Sequence, residues 1–176
     1  IKLERTTDAK SVLAEAKEKG VKDEAFDQLE KRLAESIVNS QHPSSDQLQV
    51  IISLFNQGLM QSALSESTQM LEIYPKSFVL YNLLGAANAS LMHHDVAIDS
   101  YKKALKIKPD YADAYSNMGI ILQDKGDFDA AIDSYQQALK IKPDLAEAYC
   151  NMGIALKDKG DLKAAIKSYK QAVKIK

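Results

Sequence analysis

The stretch ADAYSNMGIILQDKGDFDAAIDSYQQALKIK, residues 112–142, is followed after three residues by AEAYCNMGIALKDKGDLKAAIKSYKQAVKIK, residues 146–176. The two agree at 22 of 31 positions, which makes the chain an array with a period of 34 residues. Pro75, Pro109 and Pro143 carry the same register, each two residues after an isoleucine. Within 112–142 the apolar and small residues Tyr115, Met118, Gly119 and Leu122 recur at helical spacing, and Ala131, Ile132, Tyr135, Ala138 and Leu139 do so again. Between the two runs, Gly126 allows a tight turn and Asp127 is suited to cap the helix that follows. Pro143 ends that helix, because proline cannot continue one and disfavours helical backbone in the residue before it. Each period is therefore read as a helix–turn–helix hairpin.

Small residues mark where the two helices of a hairpin come close. Gly119 and Ala131 have counterparts in Gly85 and Ala97 and in Gly153 and Ala165. A large side chain at any of these places would force helices apart. The units are read as 44–77, 78–111, 112–145 and 146–176, the last without a helix to cap it. The first diverges, with Ile51 where the others have glycine and Ser67 where they have tyrosine, so its first helix is expected to pack differently. Residues 1–43 hold two further helical stretches, 8–19 and 23–39, around Gly20. Ala25, Leu29 and Leu33 give the second an apolar stripe, which reads as a capping repeat or a helical extension. The segment Gln41-His42-Pro43-Ser44-Ser45 marks the boundary.

The pattern Tyr115-x-x-Met118-Gly119-x-x-Leu122, Ala131-x-x-x-Tyr135 and Pro143 resembles the tetratricopeptide repeat. Residues 78–111 match through Tyr81, Leu84, Gly85, Ala97, Tyr101, Ala104 and Pro109, and residues 146–176 match to the last residue. The resemblance extends to bacterial tetratricopeptide arrays and to the superhelix of O-linked N-acetylglucosamine transferases. It implies an all-α fold, an α-solenoid in which stacked hairpins form a right-handed superhelix with the first helices on the concave side. It further implies a scaffold for protein–protein interaction, or a substrate-recruiting module of a larger glycosyltransferase or sulfotransferase.

The helical period places Asp113, Asn117, Ile120 and Asp124 on one face of the third unit's first helix, opposite Tyr115, Met118 and Leu122. The fourth unit offers Glu147, Asn151, Ile154 and Asp158, with Lys157 at the edge. Asparagine is a poor helix former, so Asn117 and Asn151 ask for another reason to be there. A carboxamide both donates and accepts, as a peptide backbone does, and groove asparagines hold peptide backbone in the resembling transferase superhelix. Asn82 is offset by one residue, while Leu83 and Gln49 take the matching places in the earlier units, leaving two full rungs. Ile120 and Ile154 are read as apolar anchors beside the amides. The carboxylates outnumber Lys157, so the expected partner is a neutral or basic protein or peptide rather than an acidic one. Chaperone-binding tetratricopeptide domains hold a terminal carboxylate with clustered lysine and arginine, and this face lacks such a cluster.

Composition narrows the remaining classes. With 45% hydrophobic and 27% charged residues the chain is not disordered, and a net charge of −1 supplies no field for nucleic acid. No apolar run approaches the roughly 20 residues that span a bilayer. Cys150 is the lone cysteine and cannot form an internal disulfide, which fits a reducing, cytoplasmic location. The sequence starts at Ile1 rather than methionine and is read as a segment of a longer protein. His93-His94-Asp95 lies in the second unit's turn, without the further ligands zinc needs. Lys163, Lys167, Lys170 and Lys174 stripe the last helix, without the interleaved aromatics of a nucleic-acid surface, and are read as a solvated face. Neither a nucleophile–base grouping nor a phosphate loop is present, so neither catalysis nor a cofactor is expected. The uncapped last hairpin is expected to leave an apolar face and to favour self-association.

Overall fold

A computed structural model describes residues 42–175 and, before them, the helical positions Val12, Glu15, Asp27, Gln28 and Lys31. Apart from those five positions and the last two, the expectation of a cap or extension over 1–43 lies outside the described residues. At the start of the described array the His42 ring meets Phe78 edge-on at 4.9 Å, and Phe78 meets Tyr111 in the same way at 4.9 Å.

Eight helices follow within the described residues, and no strand: α1 Ser45–Asn56, α2 Met60–Ile73, α3 Phe78–Ser90, α4 His94–Ile107, α5 Ala112–Asp124, α6 Phe128–Ile141, α7 Ala146–Lys159 and α8 Leu162–Ile175. They pair as hairpins α1/α2, α3/α4, α5/α6 and α7/α8, and each second helix packs on the first helix of the next hairpin. The first helices α3, α5 and α7 also touch in succession. This is an all-α solenoid of helical repeats, whose core falls into three clusters, two of them bridged by Ile120 and Leu122.

Local chemistry sets the helix ends. Ser44 caps α1 through a reciprocal pair with Gln47, Ser77 caps α3, and the Asp127 carboxylate accepts from the Ala130 N–H. Asp161 accepts from the Ala164 N–H in the same way at 3.0 Å. The second helices stop at Ile73, Ile107 and Ile141, two residues short of each proline, as expected.

Each hairpin turn repeats one hydrogen bond. The N–H groups of Leu59, His93, Asp127 and Asp161 donate to the carbonyls of Leu54, Asn88, Leu122 and Leu156. The residue before each donor is left-handed, which satisfies the helix end. That residue is Gly58, Gly126 or Gly160 in three turns and Met92, at φ +63°, in the second. A side chain there costs roughly 1–2 kcal/mol of backbone energy. Glycine's extra freedom in the unfolded chain gives back about 0.4–1 kcal/mol of any relief. Met92→Gly is therefore expected to raise the melting temperature by about 1–3 °C in thermal circular dichroism. A lower melting point would contradict the strain argument.

The helices of a hairpin interlock through glycine and tyrosine. A Cβ added to Gly85, Gly119 or Gly153 would stand 2.6, 2.7 or 2.7 Å from the ring of Tyr101, Tyr135 or Tyr169. In the first hairpin the bulk is exchanged. Ile51 takes the glycine's place and Ser67 the tyrosine's, and both are fully buried. The Ser67 hydroxyl donates to the Ala63 carbonyl at 2.7 Å, so its polarity is satisfied in the core. The divergent first unit thus keeps the packing volume with the large side chain on the opposite helix.

Candidate functional site

Along the first helices, small residues are turned inward and polar ones outward. Ala114, Gly119 and Ile121 are buried on α5, and Ala148, Gly153 and Ala155 on α7. The remaining faces carry Asp113, Asn117, Ile120 and Asp124, then Glu147, Asn151, Ile154 and Asp158. Asp113, Asp124, Glu147, Ile154, Lys157 and Asp158 are exposed, whereas Asn82, Asn117, Ile120 and Asn151 are half-buried.

The asparagines are joined across units. Asn117 Nδ2 donates to Asn82 Oδ1 at 3.2 Å. Asn82, offset by one residue in the repeat register, thus reaches α5. A strict 34-residue comparison pairs Asn82 with Ser116, which is buried, and so misses the contact. Once made, the bond leaves the Asn82 amide hydrogens and the Asn117 carbonyl oxygen without a hydrogen-bond partner among the described residues. Asn151 has no side-chain hydrogen bond among the described residues.

Ile120 departs from its expected role as an exposed anchor. It packs against the cores on both sides of α5, touching the cluster around Tyr101 and Ile121 and that around Tyr135 and Ala155. Ile154 and its counterpart Ile52 are the more exposed members of that row.

Negative charge collects between α5 and α7. Lys157 Nζ lies 3.4 Å from Asp158 Oδ1, so the one lysine at this face is partly neutralised. Burial holds the Tyr135 phenol well above its ordinary pKa, and Asp124 and Glu147 push it further. The proton is thus retained at neutral pH, and the hydroxyl donates to Gln123 Oε1 at 3.3 Å. Burial, then Asp113, likewise raises Tyr111. These carboxylates therefore act on the tyrosines at the hairpin seams as well as on solvent.

Other sequence candidates have structural settings. His93 precedes α4 at the N-cap position without a capping side-chain hydrogen bond, and its Nδ1 lies 3.3 Å from Oδ1 of the buried Asn88. Asn88 Nδ2 in turn donates to the Leu84 carbonyl at 2.9 Å, tying the turn at Met92 to α3. Lys163, Lys167, Lys170 and Lys174 are exposed on α8. Sequence reading also missed two ion pairs between hairpins, Lys125 Nζ with Asp95 Oδ1 and Lys159 Nζ with Asp129 Oδ1. Both partners are 30 residues apart, a separation that the 34-residue register does not highlight. No helix among the described residues is long and apolar enough to cross a membrane.

Comparison with known proteins agrees with this architecture. Residues 94–126 and 121–160 match the family model described as TPR repeat, and residues 146–176 match the one described as tetratricopeptide repeat. A curated relative, Hsp70-Hsp90 organizing protein 2 of Arabidopsis thaliana, is 37% identical over 57 residues, covering 32% of this chain. The matched part is about 10% of that relative's length. Among solved structures, one of MamA protein superposes with a TM-score of 0.69 at 26% identity, covering 97% of this chain and 91% of that one. A second MamA structure gives 0.69 at 25% identity, covering 88% and 95%. MamA 41-end from Desulfovibrio magneticus RS-1 gives 0.69 at 19% identity, covering 97% and 94%, a likeness of fold.

Proposed function

Since the chain is a tetratricopeptide repeat protein, we propose that it is a protein-interaction scaffold whose first helices hold an extended, neutral or basic segment of a partner protein. The observation that carries this reading is the Asn117–Asn82 hydrogen bond. It orients two carboxamides so that one offers donors and the other an acceptor, which suits the alternating N–H and C=O of a peptide backbone. Asn151 continues the row one hairpin further on. Such contacts read the backbone and not its side chains, so they tolerate many sequences.

Charge then selects among peptides. Asp113, Asp124 and Glu147 stand beside the amides, and Lys157 is occupied with Asp158. A lysine or arginine on the partner gains Coulomb attraction here, and a carboxylate is repelled. Exposed charges of this kind act more on specificity and on the rate of encounter than on affinity. Ile154 supplies an apolar contact beside them.

Titration of an immobilised peptide library with wild-type protein tests the charge reading: basic members should bind and acidic ones should not. In the Asn117→Ala/Asn151→Ala variant, two net hydrogen bonds of about 1 kcal/mol each are lost, which weakens binding roughly 10- to 30-fold. Equal retention by wild type and variant would remove the asparagine row from the site, and a preference for acidic peptides would overturn the charge argument.

A further inference from the structure

The row to which the asparagines belong divides into an uncharged half and an acidic half. The 34-residue register puts Val79, Leu83, Ala86 and Ser90 of α3 in the places of Asp113, Asn117, Ile120 and Asp124 of α5. On α1 the same places hold Ser45, Gln49, Ile52 and Asn56. None of these eight residues of α1 and α3 is charged, whereas four of the eight on α5 and α7 are carboxylates. Helix α3 carries no charged residue anywhere from Phe78 to Ser90. Val79, Leu83 and Ala86 are half-buried, and Ile52 is 40% exposed.

The neighbouring cations sharpen this division. Lys157 lies 3.4 Å from Asp158, and Lys159 donates to Asp129 of α6, so both lysines of α7 are engaged away from Glu147. The charged groups over the rings of α3 are positive: Lys103 Nζ is 5.8 Å from the centre of Tyr81, and Lys108 Nζ is 5.5 Å from that of Phe78. A cationic side chain therefore gains at α5 and α7 and gains nothing at α3.

Along α5 the two carboxylates bracket the asparagine. With a rise of about 1.5 Å per residue, Asp113 stands about 6 Å to one side of Asn117 and Asp124 about 10 Å to the other. Successive residues of an extended chain point to opposite sides. A backbone that crosses the first helices at Asn117 directs alternate side chains toward the two carboxylates, over distances suited to lysine and arginine. Glu147, Asn151 and Asp158 repeat the arrangement on α7. Packed helices lie roughly 8–10 Å apart and an extended chain advances about 3.3 Å per residue, so each first helix faces about three residues of the segment.

Resting on the reading of these helices as a peptide site, we infer that the bound segment is bipartite, with an uncharged aliphatic part over α1 and α3 and a part rich in lysine or arginine over α5 and α7. The aliphatic side chains meet Ile52, Leu83 and Ala86, and the cations take up Asp113, Asp124 and Glu147. A uniformly basic segment leaves the first half unused, and a uniformly apolar one leaves the carboxylates unpaired.

The probes are two synthetic peptides of identical composition and about ten residues, enough to cross four helices. In the blocked peptide leucine and valine fill one half and lysine the other; in the second peptide the same residues alternate. Each is titrated into isotope-labelled full chain, and a nitroxide at either end of the blocked peptide broadens the amides near it. The blocked peptide is expected to bind about five- to tenfold tighter, the scale of two or three exposed ion pairs. The label at its lysine end should broaden α5 and α7, and the label at its aliphatic end α1 and α3. The Val79→Asp/Ser90→Asp variant gives α3 the acids that α5 carries at those places, so it is expected to fold, as circular dichroism checks, and to cut the preference below about twofold. Equal affinity for the two peptides, both labels broadening the same helices, or an unchanged preference in that variant would overturn the inference and leave the asparagine row in place. Full binding by the Asn117→Ala/Asn151→Ala variant, or no binding of either peptide, would overturn the peptide-site reading and the inference with it.

Discussion

Gly119→Ile is expected to lower the melting temperature by about 10 °C, and adding Tyr135→Ser is expected to recover at least half of that loss. The first effect follows from the Cβ position alone, 2.7 Å from the Tyr135 ring. The ring cannot easily give way, since Tyr135 is fully buried and its hydroxyl is held by Gln123. Overpacking of this kind costs about 1–3 kcal/mol and occasionally more, and isoleucine adds atoms beyond the first clash. At roughly 2–4 °C per kcal/mol for a chain of this size, a cost of about 3 kcal/mol gives the stated shift. Recovery is expected because the double variant recreates the Ile51 and Ser67 arrangement that the first hairpin already uses. A double-mutant cycle by thermal circular dichroism measures it. Additive losses would mean that the two places do not exchange bulk.

Ala131→Leu is the second large effect. Ala131 has no accessible surface and clusters with Tyr135 of its own helix and with Ala148 and Ala155 of α7. Ile120 and Leu122 of α5 pack against the same cluster, so the site lies where α6 meets both its hairpin partner and the next hairpin, and added carbons have to displace a neighbouring helix. A loss of about 2–3 kcal/mol, or 5–10 °C, is expected. Ala131→Ser, nearly isosteric and able to bond back to a helix carbonyl as Ser134 does to Ala130, should cost much less. If leucine melts like wild type, the space assigned to this alanine is wrong.

The hairpins, their turns and their caps were legible in the sequence because local chemistry decides them. Gly126 and Asp127 act within a few bonds of where they stand, and the prolines stop helices by their own geometry. Contacts between hairpins were harder to read. The Asn82–Asn117 bond and the Lys125–Asp95 and Lys159–Asp129 pairs join residues 35 and 30 apart, offsets produced by how one unit leans on the next. The period shows which residues are equivalent and leaves open which of them touch. Ile120 illustrates the same limit, since helical spacing assigned it a face and packing drew it into two cores. Ile51 and Ser67 each looked like a departure from the pattern, and only their shared burial shows that they compensate.

The glycine–tyrosine fit also bears on how such an array could grow. In each of the last three hairpins both partners belong to the same hairpin, Gly85 with Tyr101, Gly119 with Tyr135 and Gly153 with Tyr169. A duplication or recombination breakpoint at the prolines copies lock and key together. One inside the turn at Gly58, Gly126 or Gly160 separates them, and joining a half from the first hairpin to a half from a later one would set Ile51 against a tyrosine or leave a glycine facing Ser67. The hairpin is therefore the heritable cassette, and a unit with the fit reversed can persist beside ordinary ones because its neighbours do not share that fit.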